Sequence, residues 1–403
     1  MFPTVLKEFV IHDKTGTKEL YVRLKKALYG TLTASLLYYQ KWRRDIESIG
    51  YKVNVYNPCV ANKKINGSLH TIRWHVDDVM GSHVSSKVND NFISWLKRMY
   101  ENDIGEVKVT RGNVHDYLAI EFEFDKKNGK VCLRMLKYIK KLIDEFPYQD
   151  ELSKKHSSVP AAEHLFNTNP KGIKLGKVKR EVFHSVVAQA LFVCFRSRPD
   201  IMLTVMFLTT RVKSPDTDDW KKLLKLLSYL NGTRGMYLTL SMNGSVMNWF
   251  ADASFGVHPD FKSHTGGALV MGTGSIINKS MKQKLNTHSS TEAELVAADD
   301  MSSIMLWSRL FMKEQGYDVE LVLHQDNKSA KLLLDNGRRS LGKRTRHLNI
   351  RYYFLHDQIM QGILKAQYCS TENMIANFFT KPLQGCQFRE LRKLILGIKE
   401  EVK

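Results

Sequence analysis

Apolar residues alternate with polar ones in some stretches of the chain and recur at three- and four-residue steps in others, dividing it into strands and helices. Leu20, Val22 and Leu24 make Glu19–Ala27 strand-like, and an aromatic-rich helix is predicted from about Thr33 to Ile49. Val53–Asn62 and Leu69–His83 alternate as strands do. Over Ser85–Tyr100 the spacing of Val88, Phe92, Trp95, Leu96 and Met99 predicts a helix. A strand pair, Asp116–Phe124 and Lys130–Met135, flanks the turn residues Lys126 to Gly129, and a helix follows over Leu136–Glu145. Residues 147–180 carry Pro147, Pro160 and Pro170 with little periodicity and read as a linker. Helices resume at Phe183–Phe195, Ile201–Val212 and Asp218–Leu230.

From Val246 the pattern becomes strand-rich. Strands are predicted at Val246–Ala251, Gly266–Met271 and Ser275–Lys279, then a long helix over Thr291–Glu314 behind a Ser289-Ser290-Thr291 cap. A strand at Glu320–His324, helices at Lys328–Asn336 and Arg346–Met360, a strand at Ile363–Cys369 and a helix near Glu372–Phe379 complete the series. The fold class expected is α/β and α+β, with a mixed five-stranded sheet in the carboxyl-terminal part.

Composition changes this picture in one respect. The 43% apolar and 25% charged residues suit a folded chain, but a net charge of +20 and a pI near 9.6 point to a polyanionic partner. The excess is uneven: residues 1–240 hold 40 Lys and Arg against 25 Asp and Glu, and residues 241–403 hold 21 against 16. A basic solvated surface accounts for it equally well. Five scattered cysteines without a C-x-x-C pair imply neither a disulfide framework nor a zinc site, so the default is a reducing compartment. No apolar run approaches the ~18 residues of a spanning helix, and no membrane partner is expected. Whether the protein works in cytoplasm, in a particle or in the nucleus stays open.

Candidate chemistry lies in the acids. Asp252 follows an apolar strand, Glu294 falls in the first turn of the long helix, and Asp326 ends a strand just before another helix. Any one alone reads more readily as a helix cap or a solvated residue. Converging at strand ends, they could hold two magnesium ions, with manganese as a substitute, roughly 3.5–4 Å apart. Glu292, two residues away on the helix, is expected to face elsewhere. In the amino-terminal half, Asp77 and Asp78 lie between two apolar strands, where paired acids either bind magnesium or are simply turn residues. Tyr29, Tyr38, Tyr39, Trp42 and Trp74 with Lys41, Arg43 and Arg44 either contact nucleic acid or, for most of the aromatics, fill a core.

Several motifs in one order then carry a resemblance. Phe250-Ala251-Asp252-Ala253-Ser254, Ser263-His264-Thr265-Gly266-Gly267, the run Ser289 to Ala297, Asp326-Asn327-Lys328-Ser329-Ala330, the run Arg346 to Tyr352 and Thr380-Lys381-Pro382-Leu383 resemble the signature of copia-type retrotransposon ribonuclease H. Upstream, Lys26-Ala27-Leu28-Tyr29-Gly30, the acid pair, Arg198-Pro199-Asp200-Ile201 and the run Tyr229 to Thr233 resemble the same elements' reverse transcriptase and its connection. The resemblance implies a partial palm and thumb over 1–146, a linker and helical connection over 147–240, a ribonuclease H-like domain over 245–385 and a tail over 386–403. It implies that Asp252, Glu294 and Asp326 bind metal and cleave the RNA strand of RNA–DNA hybrids. For Asp77 and Asp78 it implies a metal-binding polymerase remnant, and for His347 a nucleic-acid contact or, more readily, a packing role.

Two departures matter. The family carries an Ala-Asp pair shortly before Thr-Lys-Pro-Leu, and this chain has Ala376-Asn377, so a fourth ligand is degraded and metal binding is expected to weaken. The family's first palm aspartate precedes the Leu-Tyr-Gly segment; Glu8, Asp13 and Glu19 do not sit in its setting, and His75 replaces an aromatic. The expectation is no DNA synthesis by this chain alone. The alternative to a nuclease is a non-catalytic nucleic-acid-binding remnant of a decayed element.

Overall fold

A computed structural model of the chain describes residues 9–20, 28, 30–101, 105–152, 155–337 and 349–398, without the side chains of 349–353. Tyr29 and His347 therefore lie outside the described residues. Contacts divide the chain into two units, Met1–Val107 and Lys108–Lys403.

In the first unit β1 (Val10–His12) pairs with β2 (Lys18–Leu20), and α1 (Leu32–Ser48) starts where the Thr31 side chain accepts the Ala34 N–H. Four antiparallel strands follow, β3 (Lys52–Val53), β4 (Val60–Ile65), β5 (Ser68–His75) and β6 (Asp78–Ser82), and then α2 (Ser86–Tyr100). The period-two pattern of β5 buries His70, Ile72 and Trp74 on one face. Trp42 and Ile46 of α1, Ala61, and Phe92 of α2 complete that core, with Tyr38 and Tyr39 packed partly buried against it. These aromatics fill a core; Trp42 and Trp74 are not displayed for base stacking. The two hairpin turns contrast. Asn66-Gly67 joins β4 to β5 with both residues at positive φ, the conformation that Asn-Gly favours. Val76-Asp77 joins β5 to β6 with Val76 at φ 55°, which crowds a β-branched side chain.

The second unit begins with β7 (Val114–Tyr117), β8 (Ile120–Asp125), β9 (Lys130–Arg134) and α3 (Leu136–Asp144). Helices α4 (Lys177–Cys194), α5 (Met202–Thr209) and α6 (Thr217–Gly232) lead to β10 (Leu238–Met242), which pairs with β9. One antiparallel sheet thus joins segments from either side of residues 147–180. That stretch is itself packed: Val159, Leu165 and Phe166 are buried, and Phe166 lies against Phe207, His258 and His264. Its irregular backbone follows the surface of other elements, so it shows no period.

The remainder holds β11 (Val246–Ser254), β12 (His264–Val270), β13 (Gly272–Thr273), β14 (Ser275–Lys282), α7 (Ser290–Glu314), β15 (Glu320–Gln325), α8 (Lys328–Asn336), α9 (Asn349–Met360), β16 (Lys365–Tyr368) and α10 (Gly385–Leu396). Its sheet has the order β14-β12-β11-β15-β16, antiparallel on the first side of β11 and parallel on the other, the expected mixed five-stranded sheet. Met247, Trp249, Ala251, Leu269, Leu295, Met301 and Leu323 lie in the core between sheet and helices.

Gly266 and Gly267 are required because both faces of β12 are closely covered. A Cβ on Gly266 would stand 2.6 Å from Thr380 Cγ2 and 2.8 Å from the Ala376 carbonyl oxygen; one on Gly267 would meet the Met301 side chain of α7. The helix expected near 372–379 is instead two 3-10 turns, Thr371–Asn373 and Ile375–Phe379, because Met374 between them is extended at ψ 91°. The last residues include α10, whose Arg392 is buried and donates to Tyr229 Oη at 3.2 Å. Tyr229 Oη donates to Asp200 at 2.6 Å, and the fully buried Arg198 forks onto both Asp200 oxygens and reaches the Thr233 carbonyl. That network pairs buried Arg198 with buried Asp200 and ties the turn at residues 198–201 to the end of α6 and to α10.

Candidate metal centre

Asp252 sits near the carboxyl end of β11, the central strand, and is 1% exposed. Asp326 directly follows β15; the parallel register Phe250↔His324 carries on to set it beside Asp252. Asn327 next to it caps α8, accepting the Ala330 N–H. Ser289 caps α7, which brings Glu294 up after one turn, 6% exposed. One carboxylate oxygen from each of Asp252, Glu294 and Asp326 lies within 4.8 Å of the others. The three acids singled out in the sequence are thus brought together. Glu292 is not among them: its carboxylate accepts the His288 N–H at 2.6 Å, an N-terminal capping role.

Such a cluster is electrostatically uncomfortable. Burial pushes the Asp252 carboxyl above its ordinary value, partly offset by Lys381 and Thr380. Burial, then the charges of Asp252 and Asp326, hold the Glu294 carboxyl well above its ordinary value. Among the described residues, buried Glu294 Oε2 has no hydrogen-bond partner. A buried carboxylate oxygen with no donor calls for a proton or a cation. The donor set is all carboxylate oxygen, which suits hard divalent ions such as magnesium or manganese. Oxygens around one magnesium ion stand about 2.9–4.1 Å apart, so a small contraction of this trio fits one. The residues fit the implied metal.

Two residues that sequence reasoning quoted only as motif letters also touch the centre. Thr380 Oγ1 donates to Asp252 Oδ2, and the Lys381 ammonium lies 3.5 Å from Asp252 Oδ1. Their adjacency to the Asn377 position was the available signal. Asn377 is buried; its Nδ2 donates to the Thr371 carbonyl at 2.9 Å, and its Oδ1 accepts from Lys381.

The other sequence candidates lie elsewhere. Asp77 and Asp78 are exposed at the β5–β6 turn in the first unit, and among the described residues no third acid, His or Cys gathers with them. Lys41 pairs with Asp45 at 2.5 Å, Arg43 with Glu47 at 2.9 Å, and Arg44 donates to the Gln40 carbonyl, all along the exposed side of α1. Among the described residues no helix is long and apolar enough to cross a membrane.

No protein-family model matches the chain. Among curated proteins it is similar to the retrovirus-related Pol polyprotein from transposon TNT 1-94 of Nicotiana tabacum, 26% identical over 394 residues, covering 96% of this chain and 29% of that one. It is also similar to the retrovirus-related Pol polyprotein from transposon RE2 of Arabidopsis thaliana, 26% identical over 386 residues, covering 94% of this chain and 25% of that one. A third relative is the transposon Ty1-BR Gag-Pol polyprotein of Saccharomyces cerevisiae, 24% identical over 393 residues, covering 93% of this chain and 22% of that one. The chain thus has retrotransposon Pol polyproteins for relatives and spans about a quarter of their length. Among solved structures, prototype foamy virus protease-reverse transcriptase matches with 11% identity and a TM-score of 0.26, over 96% of this chain and 43% of that one. That score is too low to carry an argument about fold.

Proposed function

We propose that this chain is a retroelement Pol segment of the reverse transcriptase and ribonuclease H type, and that its carboxyl-terminal part hydrolyses the RNA strand of RNA–DNA hybrids with divalent metal. The observation that carries the proposal is the trio Asp252, Glu294 and Asp326, the first two buried and Asp326 half-buried, with a Glu294 oxygen that has no donor among the described residues, in a chain whose relatives are Pol polyproteins. Bound divalent ions would lower the pKa of an attacking water and stabilise the leaving oxygen of a phosphodiester. The protein's own residues set the geometry. Thr380 fixes Asp252 through Oδ2. Gly266 lets the Ile375–Phe379 turn, and with it Thr380, approach the sheet. The net charge of +20 suits a polyanionic substrate, and selection of a hybrid would rest on its shape and 2′-hydroxyls. For the first unit we propose no DNA synthesis by this chain alone, since Asp77 and Asp78 gather no third acid among the described residues.

The rival reading, a nucleic-acid-binding remnant without catalysis, draws on Asn377, whose neutral amide leaves the centre one charge poorer. Strand-labelled hybrid, duplex DNA and single-stranded RNA, each with magnesium or manganese, separate the two. Cleavage confined to the RNA strand of the hybrid supports the nuclease. Salt-dependent binding of all three without cleavage supports the remnant.

A further inference from the structure

Asn377 is fitted to its neighbours in a way that an aspartate would not be. Its Nδ2 donates to the Thr371 carbonyl, which fixes the amide so that Oδ1 faces the Lys381 ammonium. A carboxylate there would turn one oxygen toward the Thr371 carbonyl, acceptor against acceptor. The ammonium so held reaches Asp252 Oδ1, and the other Asp252 oxygen accepts from Thr380. A carboxylate that bridges two ions needs an oxygen for each. Here both oxygens of Asp252 already have partners, and Glu294 Oε2 is buried with no donor among the described residues.

Charge counting leads the same way. Three ionised carboxylates and one ammonium sum to two negative charges, which a single divalent ion neutralises. A second ion would leave the pocket at two positive charges, in surroundings that bury Asp252 and Glu294 almost completely.

We propose that Lys381, positioned by Asn377, is a tethered cation standing in for one of two divalent ions, so that the centre takes a single one. The inference rests on the metal-centre reading above and changes its ion count. Lys381 is a positioning residue here, acting through Asp252, and its side chain is 40% exposed, so its removal leaves the core packing alone.

The test counts manganese ions bound to the whole chain by equilibrium dialysis, taking as specific those that Asp252→Asn abolishes. Wild type should bind one, Lys381→Arg one and Lys381→Met two. Melting adds a readout that a merely structural lysine would not give. Lys381→Met should melt below wild type in EDTA, where its charge is missed, and no lower than wild type in saturating manganese. Two specific ions in wild type, or one in Lys381→Met, overturns the inference and leaves the metal centre standing. No specific ion in wild type overturns both.

Discussion

Gly266→Ala and Gly267→Ala form a paired test of how the turn bearing Thr380 and Lys381 is held against Asp252. At Gly266 the added methyl would stand 2.6 Å from Thr380 Cγ2, 2.8 Å from the Ala376 carbonyl oxygen and 3.0 Å from Phe379 Cβ. Two of these atoms are backbone or next to it, so the Ile375–Phe379 turn must shift bodily. Overpacking of this kind costs ~1–3 kcal/mol. At Gly267 the nearest atoms are closer still, Met301 Cε at 2.4 Å and Sδ at 2.5 Å, yet they are the free end of a flexible thioether. Replacing Gly also removes unfolded-state freedom, worth ~0.4–1 kcal/mol toward stability. That gain offsets most of the Gly267→Ala cost and little of the Gly266→Ala cost. Hydrogen exchange of peptides from β11 and β12 should therefore speed up roughly 10-fold, and at most about 80-fold, in Gly266→Ala and much less in Gly267→Ala. Only Gly266→Ala should also weaken manganese binding. Equal exchange in the two variants, or the greater loss in Gly267→Ala, would refute the argument that backbone proximity and not distance alone sets the cost.

Three further outcomes follow from other parts of the structure. The Glu294 carboxyl is raised above its ordinary 4.5, so the folded state holds that proton more tightly than the unfolded chain does. That contribution is complete below pH 4.5 and is lost as pH rises through the folded value. Metal-free melting temperature should fall with rising pH and the slope should flatten in Glu294→Gln; an unchanged slope contradicts the burial argument. Arg198→Met breaks the buried pair with Asp200, which keeps the Tyr229 hydroxyl and the nearby Arg392 charge, and should cost ~3 kcal/mol, the low end for a broken buried pair; full stability in the variant would show that the pair is dispensable. Val76→Gly removes a β-branched residue from φ 55° and should slow exchange of the β5–β6 hairpin by ~1–2 kcal/mol; no change means that the turn is unstrained.

The sequence pattern and the structure agree best where periodicity is strong and local. The order of strands and helices from Val246 to Tyr368 and the acids at their ends were legible, because alternation and cap residues are local signals. The short β10 strand, Leu238–Met242, was not: five residues gain their meaning only by pairing with β9, more than a hundred residues earlier. The packing of Phe166 and the helix α10 escaped for a related reason, since burial there depends on partners distant in sequence. At the centre the trio could be nominated, but the reach of Lys381 to Asp252 depends on a turn made possible by Gly266 across the sheet. The loss of an acid at Asn377 was legible; its partnership with Thr371 and Lys381 was not.

The measurement closest to the central claim is cleavage of an RNA–DNA hybrid, labelled on the RNA strand, in magnesium and in manganese. It compares wild type with Asp252→Asn, Glu294→Gln and Asp326→Asn, and with Asp77→Asn and Asp78→Asn as controls in the other unit. The account predicts that wild type and both controls cut the RNA at the same rate, and that each of the three centre variants loses roughly a hundredfold or more. Cleavage that survives any of the three, or that depends on Asp77 or Asp78, would contradict it.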